Sequence, residues 1–235
     1  MLQEIVNDLE PFEKKIKHAF ANKQLLVQAF THRSYLNEHK GFPLAHNERL
    51  EFLGDAVLEL VVTEYLFAEY PSKTEGELTS IRAALVNTVS LSKAAGEIGL
   101  DSYLLLSKGE AKDKGRARGV IWANAFEALV GALYLDGGYK VAKKFLSTTL
   151  LQKTETIVAE SLWQDPKSIL QEKSQEFEGL TPVYKTIKEV GPDHAKTFTV
   201  GVHFADKLVG RGSGPSKQEA ETAAAKAALI SRKWI

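Results

Sequence analysis

The hydrophobic period changes once along this chain, and that change limits its possible folds more than any other feature. From residue 5 to about 158, apolar residues recur every three or four positions. The pattern is clearest over 50–69, 78–98, 120–135 and 141–151, which predicts amphipathic helices. Tyr70-Pro71-Ser72 and Gly137-Gly138 are stop signals for two of them. After Trp163 the pattern differs. Asp165-Pro166 is an N-cap and first-turn pair for a helix to about Phe177. Pro182 to Val190 is rich in β-branched and aromatic residues, and GPDH at 191–194 is a turn. TFTVGVHF at 197–204 alternates strictly, with Phe198, Val200, Val202 and Phe204 on one face. A shorter strand around Lys207–Gly210 and an alanine-rich helix capped by Ser216 complete an α-β-β-β-α order. That order makes a small antiparallel sheet with two helices on one face. The expected organisation is therefore an all-α domain over 1–158, a linker over 159–164 and a small α+β domain over 165–235.

Bulk composition bears mainly on what the chain lacks. There are no cysteines among the 235 residues, which excludes disulfides and thiolate metal sites. No signal-peptide core or membrane-length apolar run is present, so a cytoplasmic protein without a membrane partner is the expectation. The net charge is zero; from Asp165 onward there are 11 Lys and Arg against 9 Asp and Glu. Charge alone is thus silent on partners.

The strongest chemical signal is NERLEFLGD at 47–55. On a helix Glu48, Glu51 and Asp55 share an arc of about 60°, and Glu59 extends the stripe by a turn. A solvated face would explain acids alone. The accompanying Leu50, Phe52, Leu53, Val57 and Leu58 predict a largely buried helix, and carboxylates there need cations. Oxygen donors without Cys or clustered His favour Mg²⁺ or Mn²⁺. A second source of acids is then expected. Candidates are Glu75, at the mouth of the helix over 78–90, and Glu127, which interrupts an apolar helix with Asn124 one turn before it. The pair 124/127 reads equally well as a hydrogen bond to a neighbouring helix. Residues 107–119, SKGEAKDKGRARG, read as a mobile basic loop. Its Lys112, Lys114, Arg116 and Arg118 suit either RNA or solvent. His18, His39 and His203 read as surface or packing residues, and His32 as structural.

Several motifs together resemble those of bacterial ribonuclease III, the double-stranded-RNA endonucleases. They are FTHRSYLNE (30–38), HNERLEFLGDAVLEL (46–60), EGELTSIRAALVN (75–87) and NAFEALVGALYLDGG (124–138), in the family's order. PVYKTIKEVGPDH and GRGSGPSKQEAETAAAKAAL are similar to a double-stranded-RNA-binding domain. The resemblance covers nearly the whole chain. It implies an all-α endonuclease domain that forms a homodimer, followed by a small α+β RNA-binding domain. By motif position, Glu51, Asp55, Asn124 and Glu127 would hold two Mg²⁺ ions, with Mn²⁺ as a substitute. Asp55, Glu127, Glu48 and Glu75 would be catalytic, the last two as accessory acids. Phe52 would enter a socket on the partner subunit. Paired cations suit phosphodiester hydrolysis because one activates water and the other relieves charge on the leaving oxygen. The implied products carry 5′-phosphate and 3′-hydroxyl ends with short 3′ overhangs, from ribosomal and other structured RNA precursors.

In the second domain Gln171, Gln175, Pro192 and His194 would meet minor grooves, and Lys217 a phosphate. Two positions depart from the family pattern. Lys217 is followed by Gln218 where two lysines are usual, which weakens the phosphate grip. Asn124 stands where the family has Asp; it can ligate but brings no charge. Three consequences stay open: activity with weaker metal binding, a double-stranded-RNA binder that does not cut, or a variant made to trap RNA. The first is preferred, because every other motif position is intact. A metal-dependent enzyme for small phosphates is a further alternative, disfavoured by the second domain.

Overall fold

The computed structural model describes residues 2–112, 116–161, 163–192 and 196–234. The chain divides into two compact units, Met1–Trp163 and Gln164–Ile235. The first is helical: α1 (Leu2–Asp8), α2 (Glu10–Ile16), α3 (Lys23–Ala29), α4 (Arg33–Glu38), α5 (Glu48–Glu69), α6 (Glu75–Val86), α7 (Thr88–Glu97), α8 (Lys108–Lys112), α9 (Arg116–Thr149) and α10 (Thr154–Ala159). Short 3₁₀ turns lie at Leu100–Tyr103 and Leu151–Lys153. Helices α5 and α9 cross at the centre, around a core that includes Leu58, Phe126, Leu129 and Leu133. Phe12 and Phe30 close one side of that core edge to face.

The stop signals act as expected. Tyr70 ends α5, and non-helical backbone at Gly138, whose φ of 75° favours glycine, divides α9 into two helical stretches. Three expectations need correction. The helix read over 78–98 is two helices, because Asn87 leaves helical geometry with ψ of 160°. Its Oδ1 accepts from Ser90 N and its Nδ2 donates to Ala84 O, so a cap interrupts a continuous apolar pattern. Helix α6 begins at Glu75 rather than 78, held by a capping box between Thr74 and Glu77. The segment 107–119, read as a mobile loop, contains α8 and the start of α9. Lys108 N donates to the Glu38 carboxylate (3.2 and 3.3 Å) and Ser107 N to Ser34 Oγ (3.0 Å), so distant residues hold the segment.

The second unit is α11 (Pro166–Glu178), β1 (Val183–Val190), β2 (Thr197–Phe204), β3 (Lys207–Gly214) and α12 (Lys217–Arg232). The sheet is antiparallel in the order β1-β2-β3, with Tyr184 opposite Val202 and Val202 opposite Gly210. Val202 and Phe204 pack with Leu170 of α11 and Ala224, Ala228 and Leu229 of α12. Asp165 caps α11 through Lys167 N and Ser168 N, and Ser216 caps α12 through Glu219 N. The third strand runs to Gly214, four residues beyond the expectation.

Candidate active site and RNA face

Helix α5 is anchored at its start by a buried Asn47. Asn47 N donates to Thr31 O (2.9 Å) and Asn47 Nδ2 to Ala29 O (3.2 Å). The α5–α9 crossing then fixes where the acids meet. A Cβ on Gly54 would lie 1.7 Å from Glu127 O, and one on Gly131 would lie 2.3 Å from Leu50 O. Backbone touches backbone at this crossing, so Glu51 and Asp55, three residues before and one after Gly54, face Glu127 and Asn124. Sequence reasoning passed over both glycines. The available signal was their position inside helices, where glycine costs about 1 kcal/mol relative to alanine.

The electrostatics confirm the convergence. Burial raises the Glu51 carboxyl, Glu48 and Asp55 raise it further, and a side-chain hydrogen bond from Asn124 opposes them. Glu127 is pushed up to about 7, first by burial and then by Asp55 and Glu51. Among the described residues, the charged groups acting on either are other carboxylates. Among the described residues, no three His, Asp or Glu side chains stand close enough to hold an ion as they are. The donor set nonetheless fits a hard divalent cation: three carboxylates and one amide oxygen, with excess negative charge in a partly buried place.

The remaining acids are placed differently. Glu48 is at the mouth of α5, 3.6 Å from Arg33 Nη1 and 3.9 Å from His46 Nδ1. Glu59, the end of the acidic stripe, pairs with Arg82 Nε at 2.9 Å and ties α5 to α6. Glu75 is not brought to Glu51 or Glu127 within the protomer. It lines a groove of about 460 Å³ between α6 and Thr63–Phe67 of α5, with Leu66, Phe67 and Leu78. His32 caps α4 by accepting from Ser34 N, and burial lowers its pKa, in keeping with a structural role. Phe52 is 82% exposed, against the apolar pattern of α5 that predicts burial and in keeping with the partner-subunit contact that the resemblance implies. Leu60 (58%) and Phe67 (77%) join it on one stripe of α5, within about 80° of arc.

In the second unit, Gln171 and Gln175 are exposed on one face of α11, and Pro192 is exposed after β1. Lys217 opens α12 with Nζ 3.1 Å from Glu189 Oε1 and 5.6 Å from the Phe198 ring centroid. His194 and Lys114 lie outside the described residues, as does the Arg116 side chain.

A helical unit with acids gathered from two crossing helices, joined to an α-β-β-β-α module, defines a class: nucleases that carry their own reader of duplex RNA. Residues 22–154 match the family model described as Ribonuclease-III-like, and residues 166–231 match the double-stranded RNA binding motif. The chain is 47% identical to Ribonuclease 3 of Desulforamulus reducens over 88% of its own length and 85% of that protein. It is 42% identical to Ribonuclease 3 of Protochlamydia amoebophila over 97% and 93%. It is also similar to the nuclease domain of ribonuclease III from Campylobacter jejuni. That comparison has 39% identity and a TM-score of 0.56, covering 61% of this chain and 96% of that one. The Campylobacter structure is described as showing flexibility in a region involved in dimer formation. The chain belongs to the ribonuclease III family, and it is an endoribonuclease with a C-terminal double-stranded-RNA-binding domain. No helix among the described residues is long and apolar enough to cross a membrane.

Proposed function

We propose that this protein is a cytoplasmic, homodimeric, Mg²⁺-dependent endoribonuclease. It cuts both strands of duplex RNA to leave 5′-phosphate and 3′-hydroxyl ends with short 3′ overhangs, and it acts on ribosomal and other structured precursors. The observation that carries the reading is the α5–α9 crossing, where Gly54 meets Glu127 backbone to backbone and Glu51 and Asp55 converge on Glu127 and Asn124, an acid surplus that a divalent ion relieves. Glu51, Asp55, Glu127 and the Asn124 amide oxygen would hold the metal. When bound, the metal supplies a water acidic enough to act as nucleophile and relieves charge at the leaving oxygen.

The chain's own residues do the positioning. Asn124 orients the Glu51 carboxylate through their hydrogen bond, and Glu48 adds negative charge at the mouth of α5. The exposed Phe52–Leu60–Phe67 stripe is the dimer face, which a second copy covers. Gln171, Gln175 and Pro192 meet minor grooves, and Lys217 exchanges Glu189 for a phosphate.

Asn124 weakens metal binding without abolishing cleavage. Labelled duplex RNA incubated with Mg²⁺ gives product bands, and with EDTA only a shifted complex. Asn124→Asp lowers the Mg²⁺ concentration for half-maximal cleavage several-fold. If neither chain cuts at any Mg²⁺ or Mn²⁺ concentration, the assignment of these four residues is wrong.

A further inference from the structure

Among the described residues, the charges that act on Glu51 and Glu127 are carboxylates, yet an RNA strand at these acids is polyanionic on both sides of the cut. An arginine stands at the edge of this cluster. Arg33 opens α4, and its Nη1 lies 3.6 Å from Glu48 Oε1. The pair is loose and wet, with the Arg33 side chain 71% exposed and that of Glu48 49% exposed. Such a pair contributes little to stability, so trading Glu48 for another anion costs little.

The backbone beneath Arg33 is held firmly by comparison. His32 N donates to Leu105 O (3.1 Å), Tyr35 N to His32 O (3.0 Å), and Asn47 N to Thr31 O (2.9 Å). The last of these ties the root of α4 to the residue that precedes α5, the helix bearing Glu51 and Asp55. A rigid base with an exposed guanidinium suits capture of a passing phosphate. The planar fork of arginine matches two phosphate oxygens, whereas a carboxylate at this edge repels them.

We propose that Arg33 is an RNA-backbone contact of the nuclease domain: it leaves Glu48 and grips a phosphate next to the one being cut. The inference rests on the reading of Glu51, Asp55 and Glu127 as the cleavage site. It gives Glu48 a second part, that of holding the guanidinium at the cleft when RNA is absent.

Binding of fluorescent duplex RNA to the full chain in EDTA, followed by anisotropy from about 0.05 to 0.5 M KCl, tests it. Each phosphate contact contributes about 0.9 to the slope of log K against log salt. The homodimer sets two Arg33 side chains on one duplex, so Arg33→Gln lowers the slope by about 1.8, which weakens binding about 60-fold at 0.1 M salt and has little effect near 1 M. Arg33→Lys keeps the slope, because it keeps a cation. In Mg²⁺, Arg33→Gln raises KM for duplex RNA, and Arg33→Lys recovers part of the loss. Circular dichroism establishes that both variants are folded. An unchanged slope in folded Arg33→Gln overturns the inference even where the parent chain cleaves normally. Failure of the parent chain to cleave in Mg²⁺ strikes the function reading, while the slope measured in EDTA still judges Arg33.

Discussion

Glu127 stands where the conflict between fold and chemistry is sharpest. Its carboxyl is pushed up to about 7, from an ordinary value of 4.5, by burial and by two neighbouring carboxylates. Between those two values the folded protein holds a proton that the unfolded chain has released. Metal-free stability must then fall as pH rises through this window. The full shift corresponds to roughly 3 kcal/mol; partial exposure reduces the expected loss to about 1–2 kcal/mol between pH 5 and 8. Urea unfolding in EDTA at the two pH values measures it. Glu127→Gln removes most of the slope, and Mg²⁺ suppresses it in the parent chain. A parent chain whose metal-free stability is flat across this range would show that Glu127 is solvated. At this scale the sequence was informative about identity and poor about environment. The types and spacing of Glu51, Asp55 and Glu127 pointed to a metal site. Nothing in the letters told that Glu75 would face a different groove; the apolar pattern of α5 put Phe52 in the core, and only the family resemblance sent it to a partner subunit.

The elements that hold these residues were legible where one local signal dominates. Asp165-Pro166 starts α11 and Ser216 starts α12 because side-chain caps act within three residues. Reading failed where tertiary contacts decide. Helix α8 is anchored by Glu38 and Ser34, some 70 residues away. The glycines of GRGSG look like a turn but continue β3, because α12 lies so close that a Cβ on Gly212 would be 2.1 Å from Ala224 N. The α5–α9 crossing is the same effect at the candidate site, and it gives the sharpest prediction for the elements. Gly54→Ala forces the two helices apart, costing about 1–3 kcal/mol or more. The accompanying displacement, on the order of 1 Å between Glu51/Asp55 and Glu127, reduces cleavage about 100-fold. Gly76→Ala is the control, since nothing lies within 4 Å of its would-be Cβ and α6 gains up to about 1 kcal/mol in helix propensity. Thermal unfolding and single-turnover cleavage of both variants decide the matter. Full activity in Gly54→Ala would mean that the crossing does not set the site.

At the scale of the whole molecule, the stranded Glu75 and the exposed Phe52 explain each other. Phe52 lies one position after Glu51 and three before Asp55 on α5. The groove beside Glu75 is large enough for a phenyl ring and has Leu66, Phe67 and Leu78 in its walls. A second copy that places its Phe52 there brings its Asp55 toward this copy's Glu75. Each site would then draw its accessory acid from the partner subunit, which makes dimerisation part of the chemistry as well as a means to cut two strands. Phe52→Ala should weaken the dimer by about 2–4 kcal/mol, read by sedimentation equilibrium, and cleavage should fall with it. A mixed dimer separates the alternatives. Pair a chain carrying Glu75→Gln with one carrying Asp55→Asn. If Glu75 acts across the interface, one site carries both lesions and the other carries neither, so the mixed dimer nicks one strand of a duplex. If Glu75 acts within its own protomer, each site carries one lesion and both strands stay whole. Nicking is the expected result; intact duplex from a mixed dimer confirmed by mass would return Glu75 to its own subunit.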